Sequence, residues 1–300
     1  MSKKTIFSSA NILFIILLSL VLFLPAKREI ESPNALIFVI VLAELIYLYK
    51  YTKNELKSAN DVATVTFAFL IVWEIAAKLK LSHPVLVPPP ENVFHVFITQ
   101  YALIIEGLFS SLQLLILGIG AAMILGILGG LLVGYIPRIR QAVLPIASVI
   151  SPIPPLVYTP YVVAVMPTFK AASIFVIFSA VFWPTFMHMI IRVGSVEKRV
   201  LDSARSMKLS TPNMLFQVIL PYCMPDVIGR LSTSLTSAML CLTGAEMLGA
   251  SSGMGYFVRK FSDFADYTKV IAGIIFIGLV VSVLNSLVKQ LEKKVIKWKY

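Results

Sequence analysis

A chain of 300 residues that is 58% hydrophobic and only 14% charged, with mean hydropathy +0.88, excludes an ordinary soluble domain. It fits a polytopic helical membrane protein, in which about 20 apolar residues cross the hydrocarbon. The net charge of +11 does not point to nucleic acid, because no basic face is interleaved with aromatics on a soluble domain and one-sided membrane loops gather Lys and Arg.

Apolar runs predict an all-α protein of eight helices, near residues 7–24, 35–50, 61–79, 108–135, 142–165, 171–191, 214–243 and 268–288. The first run follows Lys3 and Lys4. Its end, "LFLPAKRE", lacks a small-x-small cleavage site, so a retained helix is expected rather than a signal peptide. The first two helices form an extension over 1–60, ahead of a membrane domain over 61–300.

Basic residues fix the expected orientation. Lys3, Lys4, Lys50, Lys53, Lys57, Arg138, Arg140, Arg192, Lys198, Arg199, Arg205, Lys208, Lys289, Lys293, Lys294, Lys297 and Lys299 fall on one side. Lys27, Arg28, Lys78, Lys80, Lys170, Arg259, Lys260 and Lys269 fall on the other, leaving Arg230 inside a helix. A bias of roughly two to one places both termini in the cytoplasm. Between the third and fourth runs, "SHPVLVPPPENVFHVFITQYALI" opens on prolines and continues with Val93, Val96, Phe97, Tyr101 and Ile104 at helical spacing, an outer amphipathic helix.

In the fourth run Gly126, Gly130 and Gly134 recur every four residues, the small-residue pattern that lets membrane helices approach closely. No glycine leads into Gly-Lys-Ser/Thr, so no phosphate loop is present. The fifth run, "SPIPPLVYTPYVVAVMP", places Pro152, Pro154, Pro155, Pro160 and Pro167 in one span, which must kink or break. Irregular backbone at membrane depth is tolerated only where it packs in protein or lines a cavity. Pro154, Pro155, Tyr158 and Tyr161 are therefore pathway candidates.

Glu44, Glu74 and Glu246 lie in or near apolar runs, where a carboxylate is costly. The first two are expected at interfaces or facing the bundle. Glu246, before the glycine-rich "GASSGMGYFV", is a candidate for the outer gate, for docking or for capping. Cys223 and Cys241, at the ends of one predicted helix and roughly 27 Å apart, are beyond disulfide reach. His83, His95 and His188 show no metal-ligand spacing, and no cofactor or metal is expected on this chain. Few fixed charges lie along the predicted pathway, so a charged solute is not expected to be gripped tightly.

The most informative block is "LDSARSMKLSTPNMLFQVILP", polar and amphipathic between two apolar runs. Val196, Val200, Ala204 and Met207 share one helical face, while Lys198, Asp202 and Arg205 point elsewhere. A second helix starts at "STPN", with Thr211 as cap and Pro212 at its first position. Such a helix–turn–helix is suited to a groove on another protein.

This block resembles the cytoplasmic E-A-A loop of importer-type ABC transporter permeases, in which Gly follows E-A-A after three residues and I-x-L-P follows after nine more. Asp202, Ser203 and Ala204 match E-A-A, Lys208 stands at the Gly, Val218 at the Ile, and Leu220 and Pro221 close the motif. "FLIVWEIAAKLKL", "VPPPENV", "SPIPPLVYTPYVV" and "GAEMLGASSGMGYFV" are similar to segments of the nitrate/sulfonate/taurine type, so the resemblance covers about 62 to 289. It implies a six-helix type I permease core in the inner membrane with two additional N-terminal helices. It further implies a second permease subunit, expected as a homodimer, an external solute-binding protein, and cytoplasmic ATPase subunits that carry ATP-Mg and grip Asp202, Ser203, Ala204, Arg205, Met207, Lys208 and Leu209. A membrane scaffold or sensor using the same loop, and a secondary transporter, are the alternatives. If the Lys208 turn is left-handed, a non-glycine residue there costs on the order of 1 kcal/mol.

Overall fold

The computed structural model describes residues 8–52, 56–81 and 87–295, and no strand occurs among them. The chain runs α1 (Ser9–Phe23), α2 (Asn34–Thr52), α3 (Leu56–Lys78), α4 (Pro90–Thr99), α5 (Tyr101–Tyr135), α6 (Pro137–Ile150), α7 (Pro155–Val165), α8 (Phe169–Gly194) and α9 (Lys198–Ser206). A three-residue turn α10 (Thr211–Asn213) passes into a π-helix, π1 (Met214–Ile219). Then come α11 (Leu220–Ile228), α12 (Leu231–Gly249), α13 (Met254–Asp263) and α14 (Tyr267–Val295).

All eight predicted runs are helical where described. Among the described residues four helices are long and apolar enough to cross a membrane: α5, α8, residues 58–78 of α3 and residues 267–294 of α14. The predicted span 142–165 is α6 plus α7, bent by 90° and counting as a fifth if taken as one. Its proline run supplies the break, because Pro154 and Pro155 form the cap and first turn of α7. The other runs fall short for local reasons. α1 has only 15 residues, and α12 carries Ser232, Thr233, Ser234, Thr236, Ser237, Thr243 and Glu246 among its apolar residues.

The predicted span 214–243 is likewise interrupted, at Gly229 and Arg230, so Cys223 and Cys241 sit on two helices rather than on one. Both are buried free thiols. The predicted outer amphipathic helix is shorter than expected: α4 ends at Thr99, and Tyr101 and Ile104 belong to α5, whose first turn closes through Ile104 N–H on Gln100 O.

The helices group into two units, residues 1–105 with 257–275 and residues 106–256 with 276–300. Residue 60 lies inside α3, which packs in the first unit against α1 and α2 around Leu17, Ile40, Tyr47 and Phe67. Lys78, expected in an outer loop, is instead fully buried. Its Nζ lies 2.7 Å from Glu74 and 3.2 Å from Glu91, and donates to the carbonyls of Leu20 and Val21 that end α1. Glu74 thus faces the bundle, as does the buried Glu44.

In the second unit α8 is the central helix, packing on α6, α7, α11 and α12. Along α5, an added Cβ at Gly118, Gly130 or Gly134 would stand 2.6, 2.6 or 2.7 Å from side-chain carbons of Ile177, Met189 and Val193 on α8. The predicted glycine stripe is therefore the contact that brings these backbones together. Many large apolar side chains point outward, among them Phe109, Ile116, Ile124 and Leu132 on α5, the face a lipid environment requires.

Overpacking costs about 1–3 kcal/mol, more than the up to 1 kcal/mol that Ala gains over Gly in a helix. Gly130→Ala, whose methyl would also stand 2.9 Å from Phe186 O, is therefore expected to lower the thermal unfolding midpoint of the detergent-solubilised chain. Gly120→Ala, with nothing within 4 Å, is expected to leave it unchanged or raise it.

Candidate functional site

The E-A-A-like block forms one patch at the end of α8. There the chain turns at Ser195, whose Oγ donates to Arg192 O (2.9 Å), and Val196 inserts into the core before α9 begins. The observed inner face of α9 is Val200, Leu201 and Ala204. Together with Leu209 it packs on Leu131, Met189, Val193, Met214, Leu215 and Ile219. Met207, predicted on this face, is instead 73% exposed, because α9 stops at Ser206 and Met207 is already its C-terminal cap.

Asp202, Ser203, Arg205 and Lys208 are also exposed, with Asp202 and Arg205 paired at 3.6 Å on the outer face. Lys208 adopts φ 52°, the left-handed conformation that suits a glycine. Its N–H donates to Arg205 O (2.9 Å), closing the turn.

The next helix starts one residue earlier than predicted. Ser210 is its N-cap and Thr211 lies inside the first turn, while Pro212 occupies the early position that tolerates a missing N–H. Pro221 explains π1: having no N–H, it leaves Gln217 O without its helical donor. The ladder widens just before it, with Leu220 N–H donating to Leu215 O. Val200, Ser203, Met207, Leu209 and Val218 border an open groove of about 700 Å³. The loop thus has a packed apolar side, an exposed side of mixed charge, and a groove between its two helices.

The other sequence candidates lie elsewhere. Pro154 and Pro155 make the α6–α7 bend. On α7, Tyr158 is half-buried beside Val162, Ala172 and Val176, whereas Tyr161 is 72% exposed. Glu246 is 1% exposed near the far end of α12, accepting from Ser111 Oγ (2.5 Å) and Gly255 N–H (2.7 Å). Ser111 Oγ in turn accepts from Met254 N–H (2.9 Å), so the two side chains hold the first turn of α13.

Gly253 sits against this carboxylate with φ +130°, and any Cβ there would overlap the Glu246 carboxyl group. Of the roles foreseen for Glu246, capping is the one its contacts describe. Its partner Ser111 went unnoticed in the sequence, although a serine in an apolar run was the available signal. Among the described residues no group of three or more His, Cys, Asp or Glu is placed to hold a metal.

Several apolar helices of membrane-crossing length among the described residues, with a bent pair beside them, define the class of multi-pass membrane proteins. Residues 122–297 match the model of the binding-protein-dependent transport system inner membrane component, and the chain belongs to that family. It is 30% identical over 236 residues to the taurine transport system permease protein of Escherichia coli strain K12, covering 76% of this chain and 86% of the relative. The nitrate import permease protein of Leptolyngbya laminosa is 32% identical over 195 residues, covering 64% of this chain and 70% of the relative. The putative aliphatic sulfonates transport permease protein of Bacillus subtilis strain 168 is 28% identical over 235 residues, covering 77% and 84%.

Substitutions at two positions test this geometry. Glu246→Ala strands the Ser111 hydroxyl and the Gly255 N–H in a buried site, an expected loss of about 1–3 kcal/mol in the unfolding free energy, with Glu246→Gln losing less. Lys208→Gly relieves the left-handed turn by about 1 kcal/mol, so amide exchange across α9 is expected to slow roughly fivefold, and Lys208→Val to accelerate it.

Proposed function

We propose that the chain is the permease subunit of an ATP-driven importer, with 61–300 as the permease domain and 1–60 as a two-helix extension. A cytoplasmic ATPase engages the loop from Asp202 to Leu209, two copies of the chain enclose the pathway, and an external binding protein delivers the solute. ATP-Mg resides on the ATPase, and both termini face the cytoplasm on the strength of the charge bias. Closure of the ATPase pair then moves the permease halves as rigid bodies between two states, biased by nucleotide and by delivered solute.

The observation that carries this reading is the division of α9. Its apolar side is packed onto α5, α8 and π1, so a force applied to the loop is transmitted to the ends of two long helices. Its other side leaves Asp202, Arg205, Met207 and Lys208 free for a partner. The relatives' printed solutes, taurine, aliphatic sulfonates and nitrate, support a small solute bearing an oxyanion.

Ala204 is 5% exposed, so Ala204→Arg disturbs the packing as well as the docking face. Met207→Glu alters only the exposed side. Affinity purification of the full chain from mild-detergent membranes is expected to bring an ATPase with the unmodified protein and at least about tenfold less with Met207→Glu, the loss an interface anchor gives. Absence of ATPase from both preparations refutes the coupling role and leaves a scaffold or a gradient-driven carrier.

A further inference from the structure

The interruption between α11 and α12 borders a cavity of about 80 Å³ in the second unit, lined by Thr185 and His188 of α8 and by Arg230, Thr233 and Ser234. Arg230 makes no side-chain ion pair or hydrogen bond with a described residue, and the hydroxyls of Thr233 and Ser234 make none either. His188 Nε2 is buried and equally unpartnered. The neighbouring acid, Asp226, is taken up in an ion pair with Arg192, so it does not neutralise Arg230.

His188 and Thr185 lie six and nine residues before the end of α8, about 9 and 14 Å along its axis, so the cavity is set back from that end. Arg230 is exposed on the chain, and a guanidinium against lipid tails is costly, which favours a wet or anionic neighbour for it.

We propose that this cavity is a binding subsite for a small oxyanion headgroup, with the Arg230 guanidinium as counter-charge and the Thr233 and Ser234 hydroxyls as donors. The planar fork of Arg matches two oxygens of such a group, and a cavity of this size admits a headgroup of only a few heavy atoms. The inference deepens the importer reading and rests on it for the direction of transport. One cation and a few hydroxyls give a weak, passing site, in keeping with the scarcity of fixed charge in the sequence; release at the far side requires that weakness.

The test uses the full chain with its co-purifying partners in lipid nanodiscs, titrated with sodium methanesulfonate against sodium gluconate at constant ionic strength, with the thermal unfolding midpoint as readout. The unmodified protein is expected to show a saturable rise. Arg230→Gln is expected to raise the half-saturating concentration at least about tenfold, and Arg230→Lys to restore part of the loss. If Arg230→Gln does not fold, Ser234→Ala and Thr233→Val carry the test through a several-fold weaker half-saturation. No saturable rise, or an equal half-saturation in all variants, overturns the subsite. ATPase content of the same unmodified preparation reads the importer assignment separately: ATPase present without an Arg230-dependent anion effect refutes the subsite alone, and the anion effect without ATPase refutes the importer while keeping the subsite.

Discussion

Close approach of α5 and α8 along a line of glycines positions the remainder of the second unit. In lipid the hydrophobic effect offers no reward for bringing two helices together, so contact depends on how well their surfaces fit. Gly118, Gly126, Gly130 and Gly134 remove the side chains that would hold the axes apart, and Ile177, Thr185, Met189 and Val193 fill the space. With α8 fixed in this way, α6, α7, α11 and α12 pack on its other faces, and its last turn delivers Ser195 and Val196 to the start of the docking loop. One seam of small residues thus sets both the position of the loop proposed to dock a partner and the wall of the Arg230 cavity.

Proline does the complementary work of interrupting helices. Pro154 and Pro155 turn the α6–α7 pair through 90°, and Pro221 opens the ladder into the six residues of π1. Two buried ionisable side chains are held by protein groups. Lys78 finds two carboxylates and two helix-end carbonyls, and Glu246 finds a hydroxyl and a backbone N–H, so that neither meets lipid. Arg230 is the contrast, a charge whose side chain makes no ion pair or hydrogen bond with a described residue, and that contrast marks it out from the structural charges.

Much of this was legible in the sequence, because the signals were local. Apolar run length located the helices, glycine spacing foretold the α5–α8 seam, and the proline run announced the bend. The amphipathic pattern of the block up to Pro221 announced a short helix, a turn and a second helical stretch there. Whatever depended on where a helix stops was harder to read. Periodicity puts Met207 on the packed face, yet α9 ends one residue before it, and the N-cap position expected at Thr211 falls on Ser210. Pairings across long separations were invisible: nothing in the sequence joins Ser111 to Glu246, or Lys78 to Glu91 and the end of α1. Such contacts arise from tertiary packing, which one-dimensional periodicity does not encode.

Cys223 and Cys241 carry a consequence of their own. Both thiols are shut inside the second unit, Cys223 at 0% and Cys241 at 4% exposure, on the two helices that flank the Gly229–Arg230 interruption. Cys223 packs in the same cluster as the docking loop, whereas Cys241 packs beside α7. A water-soluble alkylating reagent reaches either sulfur only when its own seam parts. The molecule therefore contains two natural and separately readable reporters of internal motion, one at the loop end and one beside the bent span, with no label to be engineered.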